Sequence, residues 1–175
     1  MKHATSVLFV SLFCASTAVS AADTAAPSNA LDKFIGSGSC AGNVMAMGKN
    51  PGHATVGKYH GEKIMDGRWA EIRYDEEQSA ANPKPFHVVQ YFGYDKTKKS
   101  YVSVLIDNSE ESYSTGTSPG WQGDSITFDE SSDGKSVSFR DVFTSGQSGM
   151  SSHTGWMKDK SGKWVKTDEE TCKSS

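Results

Sequence analysis

Positive charge is not in excess in this chain: 18 Lys and Arg stand against 21 Asp and Glu, for a net charge of −3. Such a balance offers no electrostatic footprint for a nucleic-acid backbone. Cysteine is sparse, three in 175 residues. No Cys-x-x-Cys spacing occurs, which excludes zinc-ribbon and thioredoxin-type arrangements. Long apolar runs are missing after Val19, and nothing beyond it approaches the ~18 uninterrupted apolar residues of a membrane-spanning helix. Helical patterning is missing as well, since no window of about 12 residues repeats apolar side chains at the 3, 4, 7 spacing. Catalytic signatures are also lacking. There is no His-Glu-x-x-His, phosphate loop or calcium loop, Gly36 to Gly42 lacks dinucleotide-loop spacing, and Gly146-Gln147-Ser148-Gly149 falls one residue short of a nucleophile elbow. No catalytic residue and no metal-ligand set is expected.

What is present begins with a leader. Lys2, the apolar run Val7 to Val19 and the small residues before Ala22 read as a secretory signal over residues 1–21. Residues 22–30 read as a disordered leader, and residues 31–175 as one domain. The expected location is periplasmic or secreted, without a lipid anchor, because Cys14 lies inside the apolar run. Cys40 and Cys172 remain after cleavage, and in an oxidising compartment a single pair has one connectivity, a disulfide joining the two ends of the domain.

Ser28 to Phe34 predicts one short helical turn capped by Ser28. The rest predicts an all-β chain of eight to ten strands. The candidate runs are 34–47, 54–65, 68–77, 86–94, 100–107, 111–118, 122–130, 136–144, 150–159 and 163–171. Asp66-Gly67, Asp133-Gly134, Pro119-Gly120 and Ser161-Gly162 supply turn chemistry, and Asn82 to Pro85 makes one longer loop. Short connections make the strands antiparallel, in a sandwich or in an up-and-down barrel. The cysteines favour the barrel, because closure makes the first and last strands neighbours and a bridge there fastens the seam.

Strand parity locates an interior. Phe86, Val88, Gln90, Phe92 and Tyr94 form one face, Val137, Phe139, Asp141 and Phe143 another, and Ala70, Ile72 and Tyr74 a third. Each of the first two faces carries one polar interruption, and such a group must find partners in protein, water or ligand. Tyr74, Gln90, Phe92, Phe139 and Asp141 are therefore the candidate ligand-lining residues. The acidic groups around Glu76, Glu111, Glu130 and Glu169 read as solvated rims. The methionines read as core filling and the histidines as rim or surface residues. His53 and His60 have the odd separation that puts them on opposite strand faces. A buried imidazole such as His153 could ligate haem, a minor possibility against the expectation of no cofactor.

Phe34-Ile35-Gly36, the stretch from Gly93-Tyr94-Asp95 to Tyr101-Val102, and Ile106-Asp107-Asn108 resemble a bacterial family of lipocalin-like (calycin) β-barrel domains of unknown function. The resemblance runs from Leu31 to the C-terminus. It lacks one feature, a Trp shortly after the first Gly of the first strand, where Gly36-Ser37-Gly38 stands. It implies a closed barrel with an internal cavity and no catalytic residue. The expected function is an exported barrel that binds a small, largely apolar molecule in its interior. The alternative is a protein-interaction module of the bacterial envelope, an inhibitor or assembly factor, with a packed interior.

Overall fold

Alternation along each run becomes alternation between inside and outside. In β2 (His53–Ile64), Thr55, Gly57, Tyr59 and Gly61 are buried while Ala54, Val56, Lys58 and His60 are exposed, the period-2 signature of a strand with one wet face. The computed structural model describes residues 29–49, 51–109 and 113–175. The expected signal, residues 1–21, and residues 22–28 of the leader lie outside them. So does Ser28, the expected helix cap. Asn29 holds the N-cap position of the helical turn η1 (Ala30–Phe34), and its side chain makes no capping bond.

The other strands are β1 (Gly36–Val44), β3 (Trp69–Glu76), β4 (His87–Asp95), β5 (Ser100–Asp107), β6 (Tyr113–Ser118), β7 (Ser125–Ser131), β8 (Phe139–Gly146), β9 (Gly149–Lys158) and β10 (Trp164–Ser174). Each pairs antiparallel with its neighbours in sequence, and β1 pairs with β10 to close an up-and-down barrel. Among the described residues, closure pairs every strand of the sheet on both sides. Cys40 faces Cys172 directly across the closing pair, and the two form a disulfide. Tight hairpins make this order possible. Met65, Asp66 and Gly67 all take positive φ at the β2–β3 turn. At the β7–β8 turn the Asp133 carboxylate accepts the backbone N–H of Lys135 and Ser136. Those bonds hold its pKa down at about 2, the mark of an Asx turn.

One end of the barrel is plugged. Phe34, 1% exposed, projects from η1 and stacks on Phe92 of β4 with ring centroids 4.1 Å apart. Trp121 and Phe143 complete the cluster at 5.3 and 5.9 Å from Phe34. These aromatics fill this end of the barrel, with no Trp on β1. Gly61 is required here, because a Cβ on it would run into the Phe34 carbonyl oxygen. Among the described residues no helix is long and apolar enough to cross a membrane.

Candidate functional site

The opposite half of the barrel is hollow. A cavity of about 470 Å³ is enclosed by inward residues of β1 to β5 and β8 to β10 and by the loop before β4. Ile72, Val88, Leu105 and Met150 give it apolar walls, and Phe143 separates it from the aromatic plug. Met45, Met47, Lys84 and Phe86 stand at its mouth. The methionines thus edge an opening, where a flexible, polarizable side chain adapts to varied contacts.

Its polar groups form two connected sets. At the mouth, Glu76 ends β3 and is nearly buried. Its Oε2 accepts Asn82 Nδ2 at 2.8 Å and the Phe86 N–H at 2.9 Å, and its Oε1 lies 2.9 Å from His53 Nε2. A carboxylate satisfied in this way pins the proline-containing loop to the barrel.

The second set crosses the interior. Glu130 of β7, 1% exposed, accepts hydrogen bonds from Ser103 Oγ, Ser114 Oγ and Gln90 Nε2. Burial, reinforced by the nearby Asp141 charge, pushes its carboxyl up to about 7 despite those donors. Gln90 Nε2 also reaches Asp141 Oδ2 at 3.3 Å, and Asp141 Oδ1 lies 3.2 Å from His153 Nε2. The other ring nitrogen, Nδ1, is 3.1 Å from Asp168 Oδ2 and 3.7 Å from Glu170 Oε2. Burial works against charging the imidazole, yet Asp141, Asp168 and Glu170 together hold its pKa well above the usual histidine range. Asp168 is correspondingly held low; burial opposes this, and the His153 and Thr167 side chains outweigh it. Beside Glu170 lies the hydroxyl of Tyr74, a group that burial and the Glu170 charge push upward, away from ionisation.

Of the residues expected to line a cavity, Tyr74, Gln90 and Asp141 do so. Phe92 shares their inward parity but belongs to the plug, because η1 brings Phe34 down onto its ring. Phe139 also faces inward, opposite Glu130. It is half-buried at the rim, where β8 begins, and lies outside the cavity lining. His153 lines the cavity rather than the surface, as does His53 at the mouth, whereas His60 is on the outer face. Both ring nitrogens of His153 face carboxylates, so a haem-ligating imidazole would have to give one of them up.

The largest correction concerns the acidic groups. Glu76, Glu130, Asp168 and Glu170 point inward, while Asp75, Asp129 and Glu169 alternate outward or toward the rim. Strand parity held the signal, since Ile126, Phe128 and Glu130 are all buried on one face of β7.

Among curated proteins none matches the chain. The fold is similar to that in the crystal structure of Rv2717c from M. tuberculosis, with a TM-score of 0.62 and 12% sequence identity over 86% of this chain and 98% of that one. At that identity the likeness concerns the fold alone. Residues 24–173 match the family described as "Protein of unknown function (DUF1579)", and the chain belongs to that family.

Proposed function

We propose that this protein is an exported binding barrel that encloses a small, largely apolar molecule whose polar end meets the carboxylate-rich side of the cavity. The observation that carries this is the cavity itself: about 470 Å³, within the ~300–1,000 Å³ usual for small-molecule sites, with apolar walls and a few convergent polar groups. The closed ten-strand barrel supports the lipocalin-like manner of use, a ligand held inside the sheet. The Cys40–Cys172 disulfide supports an oxidising compartment. A protein-interaction module of the envelope would need no interior space, and the hollow half of this barrel speaks against a packed interior.

Native mass spectrometry of protein purified from its own envelope should reveal a co-purifying small molecule that denaturation releases. The companion measurement is titration with an apolar fluorescent probe, against a variant whose cavity is filled by Leu105→Trp. Saturable binding lost in the filled variant supports the reading. Absence of both the co-purifying mass and probe binding overturns it.

A further inference from the structure

We propose that His153, Asp168 and Glu170 form a binding site for a divalent first-row transition-metal ion in the wall of the cavity. This goes beyond the apolar-ligand reading and does not depend on it. The three side chains converge because of strand register. Glu170 of β10 sits directly across from His153 of β9, and Asp168 follows two residues earlier on the same face, next to the register shift between Lys166 and Asp168. Gly155, opposite Asp168, leaves room for that carboxylate: a Cβ there would meet Asp168 Oδ1 at 2.2 Å.

The ligand atoms, Nδ1, a carboxylate oxygen of Asp168 and one of Glu170, all lie within 4.8 Å of one another. The 3.1 and 3.7 Å separations from Nδ1 bracket the roughly 3.3–3.6 Å edge of a tetrahedron with metal bonds of about 2.0–2.2 Å. They are longer than the ~2.7–2.9 Å of direct charge-assisted hydrogen bonds.

Each ligand is also held from behind. Asp141 takes the far nitrogen of the imidazole at 3.2 Å. Thr167 Oγ1 donates to the other oxygen of Asp168 at 2.7 Å, and Thr55 Oγ1 to the other oxygen of Glu170 at 3.3 Å. A carboxylate on the second nitrogen of a ligating histidine, and hydrogen bonds on ligating carboxylates, are the outer-shell arrangement of metal sites.

An independent observation comes from Tyr74. Its side chain is only 7% exposed and lines the same wall. Its hydroxyl comes close to Glu170 and Thr55 yet completes no hydrogen bond with good geometry. A buried hydroxyl whose hydrogen bond is left incomplete is disfavoured. A metal-bound water would supply the missing partner. The remaining coordination positions face the cavity, and a cation offsets the excess of carboxylates around it. One imidazole with two carboxylates suits zinc, with manganese weaker in the same site.

The test uses the disulfide-intact protein, free of affinity-tag histidines and stripped with a chelator. Equilibrium dialysis against Zn²⁺, read by elemental analysis, should give one bound equivalent at micromolar metal, with weaker Mn²⁺ binding. Asp168→Asn and Glu170→Gln should each weaken zinc binding about tenfold or more. Tyr74→Phe should weaken it less, and His60→Gln on the outer face should leave it unchanged. Absence of stoichiometric zinc binding overturns the proposal. So does binding that both carboxylate variants retain while remaining folded by circular dichroism, the behaviour of an imidazolium held among carboxylates with metal bound elsewhere. Should those variants fail to fold, the wild-type protein decides by NMR. Zinc-dependent shifts of the His153 ring signals support the site, and shifts confined to other histidines overturn it. Probe binding in the cavity is read separately, so failure here leaves the apolar-ligand reading standing.

Discussion

The two halves of the barrel use the same inward positions of the same strands in opposite ways. On β4, Phe92 lies in the aromatic plug, and Gln90, one inward position away, is bonded to the Glu130 carboxylate. On β7, Phe128 packs 5.1 Å from Phe92, and Glu130 is the next inward residue. The boundary falls within single strands. Because the stacked aromatics Phe34, Phe92 and Phe128 gather at the η1 end, that half stabilises the barrel and leaves the other half free to hold buried charge. Dense packing and interior space are thus divided along the barrel axis.

The strongest way to break this division is to open the plug. Phe34→Ala removes a ring stacked on Phe92 and should destabilise the protein by about 3–5 kcal/mol. Leu105→Ala at the cavity wall, where space already exists, should cost less. Denaturant unfolding of the two variants measures the difference, and equal losses would show that the halves are not distinct. Reducing the Cys40–Cys172 bridge comes next. It frees a segment with 132 residues of sequence separation, and the expected loss is about 2–4 kcal/mol with β circular dichroism retained.

Glu130 sharpens the comparison through pH. Its folded-state value of about 7 lies above the ordinary 4.5, so the folded state binds the extra proton. The resulting stabilisation is fully present below about pH 4.5 and is lost as pH rises through about 7. Glu130→Gln, which keeps the neutral shape, should therefore raise stability at pH 8 by on the order of 2–3 kcal/mol and change little at pH 4.5. Melting temperatures at the two pH values check this, and an equal effect at both would contradict the buried-carboxylate assignment. The smallest effect belongs to the outer face. Arg140 lies 4.4 Å over the Trp164 ring and bonds Asp129, and Arg140→Ala should cost about 0.5–1 kcal/mol. A loss comparable to that of Phe34→Ala would place stabilisation on the wrong side of the sheet.

Much of this fold is legible in the sequence, because its signals are local. Turn pairs such as Asp66-Gly67 and the alternation around Val88 and Tyr74 mark strands residue by residue. The two cysteines then select closure. Gln90 and Asp141 stand out as polar interruptions of apolar faces. Glu130 does not, because Asp129 beside it makes the pair look like a solvated rim, although Ile126 and Phe128 show the parity that carries Glu130 inward. Asp168 and Glu170 are less legible still. Polar residues occupy both parities of β10 there, and the irregularity near Thr167 breaks the count. Depth is the other illegible quantity. Parity puts Phe92 and Phe139 on the inner face, but how far along the axis the open space extends depends on where η1 docks, a long-range contact that no short window contains.

The bridge between the first and last strands has one more consequence. With the sheet closed and its seam covalent, the backbone from Cys40 to Cys172 forms a ring. A protease that cut one hairpin, such as the exposed β7–β8 turn at Asp133-Gly134, would leave a single molecule whose strands remain paired. By the same connectivity, new chain ends could be placed in that turn with the old ones linked beside the seam, since both arrangements thread one unbroken circuit of strands.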